Sequence, residues 1–177
     1  MDNDPATRTQ LPWFKDPNMK VSIWAILKDS IGKDITKMAV PVYFNEPLNL
    51  LQKAAQYNEY TSILDQACQE KDQGKRLALV SIFSVTGLSS IERANTKPFN
   101  PMLGETYEMV EDDKEFIAEQ VSHHPPITAS YCRGLKQNWV IWTNHKSNSK
   151  FTGKYLEFYQ QYRIYIELKD FGETYEV

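Results

Sequence analysis

Two adjacent histidines, His123 and His124, are followed at once by Pro125 and Pro126 in the stretch "AEQVSHHPPITA", and the chain of 177 residues holds three histidines in all. Three chemistries use imidazoles in pairs. A zinc site needs three or four ligands, and neighbouring residues on a strand point to opposite faces, so one ion takes both rings only where the strand is broken. His145, the third histidine, has no acidic or cysteine companion at ligand spacing. Nucleophilic catalysis needs a serine or cysteine held against a base; Ser122 precedes His123, but sequence adjacency makes no hydrogen-bonded dyad, and no nucleophile elbow is present. The remaining possibilities are ordinary histidines at a strand end, with the prolines blunting an edge, and recognition of an anion, whose negative charge favours protonated imidazole.

A second stretch bears on that choice. "ERANTKPFNPMLGE" offers Arg93, Lys97 and Asn100 in a loop stiffened by Pro98 and Pro101. Donors held in a Pro-rich turn lose little conformational entropy when they converge on a phosphate.

The rest of the chain must position these groups. Its length fits one domain, and 41% apolar with 12% aromatic residues suffices for a core. A net charge of −3 argues against a nucleic-acid partner and against retention on anionic membranes by overall charge. Cys68 and Cys132 form no paired-cysteine motif, which suits two thiols in a reducing cytosol. The N-terminus lacks the basic and apolar regions of a secretory signal, and no window reaches the length of a membrane span. Residues 1–10 are polar and read as flexible. "DPNMKVSIWAILKDSIG" predicts a short amphipathic helix, with Ile23, Ile26, Leu27 and Ile31 on one face and Trp24 at its edge. Residues 38–47 read as extended because of Pro41 and Pro47. One helix is expected from Asn45 or Glu46 through "LNLLQKAAQYNEYTSILDQACQE", with Pro47 in its first turn. Another is expected over "KRLALVSIFSVTGLSSIER", the most buried of all, with a stripe of Leu77, Val80, Phe83, Ser84, Gly87, Leu88 and Ile91. Beyond residue 104 the periodicity falls to two: short strands separated by "EDDK", "GLKQ" and "YQQ" predict an antiparallel meander.

"EQVSHHPP" (Glu119–Pro126) resembles the fingerprint of the oxysterol-binding-protein-related lipid-transfer domains. "KPFNPMLGETYE" is similar to that family's second signature, "SIWAILKDSIGKDITKMAVPVYFNEPL" to its lid and entry segment, and "FTGKYLEF" to one of its strands. The likeness runs over residues 11–177 and corresponds to the N-terminal half of the family domain. It implies an α+β fold: a lid over residues 11–37, a helical layer over 46–93, and a meander over 104–177 that belongs to a large antiparallel β-barrel, left incomplete here. It implies lipid binding and transfer between membranes, with sterol exchanged against a phosphoinositide, phosphatidylinositol 4-phosphate, in a shared apolar tunnel. By position, His123, His124, Lys97 and Asn100 would meet the phosphoinositide headgroup, and Leu11, Trp13, Ile23, Trp24, Leu27 and Ile31 the sterol tunnel and lid. No enzyme, cofactor or metal is implied; the location would be cytoplasmic and peripheral at membrane surfaces. The alternative is a truncated, non-transporting module that binds only membranes or partners.

Overall fold

The computed structural model describes residues 45–89, 97–151 and 156–177, with side chains described over 45–89, 97–146 and 161–177. The expected lid and its residues Leu11, Trp13, Ile23, Trp24, Leu27 and Ile31 lie outside the described residues, as do Ile91 and Arg93. The elements run β1 (Asn45–Asn49), α1 (Leu50–Gln56), α2 (Ser62–Gln69), α3 (Gln73–Thr86), β2 (Lys97–Phe99), β3 (Thr106–Val110), β4 (Lys114–His123), β5 (Pro126–Gly134), β6 (Trp139–Phe151), β7 (Leu156–Leu168) and β8 (Glu173–Glu176). β1 and β2 form a small parallel pair; β3 to β8 form one antiparallel sheet in chain order, an unclosed meander of six strands.

Period-two patterning explains how the helices find the sheet. Along β4, Lys114, Phe116, Ala118 and Gln120 are buried while Ile117 and Glu119 are exposed. The inward row continues through Cys132, Trp139, Ile141, Ile166 and Leu168, and meets Leu51, Ala54, Leu64, Val80 and Phe83 from the helices. Trp139 is locked into that core, since its Nε1 donates to Asp65 Oδ1 at 2.7 Å. Gly134 lies against the same ring: a Cβ there would stand 2.7 Å from Trp139 Cε2 and 2.5 Å from the Gln137 carbonyl oxygen. The indole cannot yield without losing Asp65, so Gly134→Ala should destabilise the fold by about 1–3 kcal/mol, read as a lower thermal midpoint.

The structure corrects the expected helices in three respects. The first is two helices, not one, separated by a turn over residues 57–61. Its start is set by Asn49, not by Asn45 or Glu46: Asn49 Oδ1 accepts from Gln52 N and Gln52 Oε1 accepts from Asn49 N, a reciprocal cap that places Pro47 in β1. Asn58 closes α1 by donating from Nδ2 to the Ala54 carbonyl. Finally, α3 is not deeply buried. Val80 and Phe83 face the core, but Leu77 and Leu88 from the expected stripe are 52% and 57% exposed, and Ile82 and Val85 are exposed too. Helical spacing identified an apolar surface without showing which part of it the sheet would reach.

The expected turn at "YQQ" is strand. Tyr159, Gln160 and Gln161 lie within β7 opposite Asn148, Ser147 and Lys146 of β6. The strand expected over "YRIYIELKD" therefore runs on from the end of the one expected over "KFTGKYLEFY" as a single strand of 13 residues, while Lys150 and Phe151 belong to β6. Lys97 is likewise in a strand, paired with Asn45, and not in a loop.

Candidate functional site

The His-His-Pro-Pro stretch forms the hairpin between β4 and β5. A register shift between Gln120 and Ser122 breaks the strict alternation just before the histidines, after which Ser122 faces Ile127 and His123 faces Pro126. His124 and Pro125 make the turn, and Ser122 Oγ pins it by donating to the Pro125 carbonyl at 2.7 Å. The break lets adjacent residues share a side: the His123 and His124 rings approach to 4.6 Å between centroids at an interplanar angle of 61°. His124 is exposed and His123 half-buried, with a buried Nδ1 that makes no hydrogen bond within the described protein. A buried ring nitrogen without a protein partner is available to a bound group.

Lys97 and Asn100 come from β2 and the turn after it. Burial disfavours the Lys97 ammonium and lowers its pKa, so an anion placed beside it would restore the charged form. Asn100 is exposed; Pro101, next to it, is fully buried and anchors the turn. Glu105 ties this turn to the rest. Its Oε1 accepts from Asn49 Nδ2 and its Oε2 from the backbone N–H of Met102, at 2.9 and 2.8 Å. The flanking backbone joins β4, with Gly104 N donating to the Gln120 carbonyl and Gln120 N to the Glu105 carbonyl. Gly104 adopts φ +78°, a left-handed conformation that suits glycine. These contacts carry residues 104–105, just downstream of Asn100, alongside the strand that ends in His123. Glu105 had no signal of its own in the sequence, because its partners lie 56 residues upstream and three residues back.

Behind this region, a cavity of about 130 Å³ lies between α1, α3 and the inward sheet face. Ala54, Phe83, Ile141 and Ile164 supply its apolar wall; Asn58, Thr128, Thr143, His145 and Tyr162 supply polar groups. The His145 ring stands edge-on to Tyr162 at 6.1 Å, and burial lowers its pKa. His145 thus lies apart from the pair in the sequence motif. Cys132 also lines the cavity, and burial pushes its thiol up to about 12; burial, with Asp170 and Asp65 nearby, pushes Cys68 up to about 11. Neither thiol is a ready nucleophile near neutral pH. Among the described residues no three His, Cys, Asp or Glu side chains group as a metal site, and no described helix is long and apolar enough to cross a membrane.

The sequence signature of the oxysterol-binding protein family matches residues 22–177. Human oxysterol-binding protein-related protein 7 is 44% identical over 175 residues, covering 97% of this chain and 20% of its own length. Human oxysterol-binding protein-related protein 3 is 42% identical over 172 residues, covering 96% of this chain and 19% of its own. The chain therefore spans about a fifth of the length of these curated relatives. Among solved structures, the Osh1 ORD domain in complex with ergosterol superposes with a TM-score of 0.83 at 40% identity, covering 92% of this chain and 39% of that one. The Osh3 ORD in complex with PI(4)P from Saccharomyces cerevisiae gives 0.77 at 33% identity, covering 88% and 42%.

Proposed function

The chain belongs to the oxysterol-binding protein family, and from that premise we propose that it forms the headgroup-reading part of a lipid-binding and transfer protein. In this reading His123, His124 and Lys97 meet the phosphate of a phosphoinositide, phosphatidylinositol 4-phosphate, and Asn100 its inositol. A sterol competes for the apolar space behind them. The observation that carries it is the paired imidazoles at 4.6 Å, one with a buried and unpartnered nitrogen, on a hairpin whose strand β4 is bonded through Gln120 to residues 104–105, downstream of Lys97 and Asn100. Relatives with this fold bind the two lipid classes, since the Osh1 domain was solved with ergosterol and the Osh3 domain with PI(4)P. The physics of exchange follows. A lipid's apolar body gains roughly 25 cal/mol per Å² when enclosed, whichever lipid it is. Discrimination then falls to the mouth, where a phosphate gains charge-assisted hydrogen bonds that a sterol leaves to water. Two lipids in one volume exclude each other, so a gradient of one can drive transport of the other. Transport of this kind places the protein in the cytoplasm, peripheral to the membranes it serves. The test is liposome extraction: wild-type chain should remove phosphatidylinositol 4-phosphate from vesicles and leave phosphatidylinositol behind.

One observation favours the second reading, a membrane- or partner-binding module without cargo. The cavity of about 130 Å³ is smaller than the roughly 300–1,000 Å³ of small-molecule pockets. A fluorescent sterol titrated into the 177-residue chain separates the two: saturable uptake at one sterol per chain excludes the second reading, and no uptake supports it.

A further inference from the structure

We infer that the turn Met102–Leu103 is a membrane anchor, two apolar side chains that insert into the interfacial layer of a lipid bilayer and hold the mouth of the candidate site against it. The inference rests on the headgroup reading above, because it takes the neighbouring donors as ligands of lipid phosphate.

Met102 and Leu103 are 73% and 67% exposed, among the most exposed large apolar side chains described. They do not belong to a loose loop. Pro101 before them is fully buried, the Met102 N–H is held by Glu105, and Gly104 closes the turn at φ +78°. Such a turn presents the two side chains to solvent in one fixed arrangement, with little ordering left to do on contact. Phe99 and Val121, at 44% and 45% exposure, flank it in sequence and across the ladder. The register gives the neighbourhood: Gly104 and Glu105 bond to Gln120, so residues 102–103 leave the ladder alongside residues 121–123, where the imidazole pair begins.

Chemistry selects the partner. The tip is apolar, while the register sets it alongside the strand end that carries the imidazole pair, and Lys97 lies five residues upstream of Met102 on β2. The acid within the turn, Glu105, has each carboxylate oxygen engaged by an internal donor and so offers little repulsion to an anionic surface. A bilayer presents phosphate and hydrocarbon in one surface, a few ångströms apart in depth. A soluble phosphate compound would make no use of exposed methionine and leucine.

The test uses the full chain with phosphatidylcholine vesicles containing phosphatidylinositol 4-phosphate, and separately with a water-soluble short-chain form of that lipid. The double variant Met102→Asp with Leu103→Asp should lose about tenfold or more of vesicle flotation. Met102→Leu with Leu103→Met should float like wild type, and all three should bind the short-chain lipid equally. An environment-sensitive dye on Met102→Cys, in a Cys68→Ser background, should shift to shorter wavelength on vesicles, which checks insertion without any charged substitution. Unchanged flotation of the Asp variant, or an unshifted dye, overturns the anchor. So does a wild-type chain that forms dimers which the Asp variant breaks while its flotation is unchanged, since the occupant would then be a second copy. If wild type floats through the turn but does not bind the short-chain lipid, the anchor stands and the headgroup reading falls.

Discussion

Replacing His123 and His124 together by alanine should abolish extraction of phosphatidylinositol 4-phosphate from vesicles while leaving sterol binding and the fold intact. A hydrogen bond to a charged group contributes about 1.5–3 kcal/mol, so losing two that serve one phosphate weakens binding by ~100-fold or more. The fold should survive because neither ring carries the core. His124 is exposed, His123 is half-buried, and the hairpin is pinned by Ser122 and the β4–β5 ladder. Sterol binding should survive because, on the reading proposed above, a sterol occupies apolar space and leaves the imidazoles to water. Equal extraction by wild type and the double variant would remove the phosphate role. Lys97→Ala should act in the same direction, since burial opposes the Lys97 charge and an anion brought beside it would favour the charged form.

Arg76→Ala should produce the largest stability loss of any side-chain truncation on α3, on the order of 10 °C in thermal midpoint. Arg76 is 6% exposed and grips Glu173 of β8 through Nε at 2.8 Å and Nη2 at 2.5 Å. Its Nη1 donates to the carbonyls of Glu70 and Lys71, and its guanidinium lies 3.9 Å from the Phe171 ring centroid. Tyr175 adds a further donor to Glu173 at 2.6 Å. Truncation leaves a half-buried carboxylate without its cation and frees the link between α3 and the last described strand. The same cluster sets a pH dependence. Arg76 first, then Tyr175, hold the Glu173 carboxyl down at about 2, below its ordinary range. A depressed carboxyl stabilises the fold above the unfolded pKa, and that contribution is lost as pH falls from about 4.5 toward 2. Burial of His145 works in the same sense but sets in at higher pH, as acid below about 6.5 protonates the imidazole of the unfolded chain. Thermal midpoints of wild type should therefore fall across that acid window, and those of Arg76→Ala should fall less. Parallel curves would contradict the pairing.

Features decided by neighbours in sequence were legible before the structure. The turns at "EDDK" and "GLKQ", the alternation of β4 and β7, and the interruption that Pro125 and Pro126 impose on β4 all follow from local residue types. Features decided by distant partners were not. The "YQQ" run is polar and resembles a turn, yet β6 extends far enough to pair with it. Asn49 outcompeted Asn45 and Glu46 as a helix start because Gln52 stands at the reciprocal position, a detail visible only once Pro47 is committed to β1. The apolar stripe of α3 was real, but Arg76, not Leu77, turned inward, since Glu173 waits there 97 residues later. In the candidate site, the motif residues were legible and the clamp that assembles them was not: Glu105 acts through Asn49 and a backbone N–H.

The most direct measurement follows the three imidazoles by NMR as short-chain phosphatidylinositol 4-phosphate is added to the wild-type chain, with phosphatidylinositol as the comparison lipid. His145, within the cavity wall, serves as an internal reference for effects that do not depend on the 4-phosphate. The expected result is a saturable shift of the His123 and His124 ring resonances with the 4-phosphate lipid and none with phosphatidylinositol. Saturable binding that leaves both rings unshifted, or shifts them equally with either lipid, would contradict the assignment of the His-His-Pro-Pro turn to the phosphate.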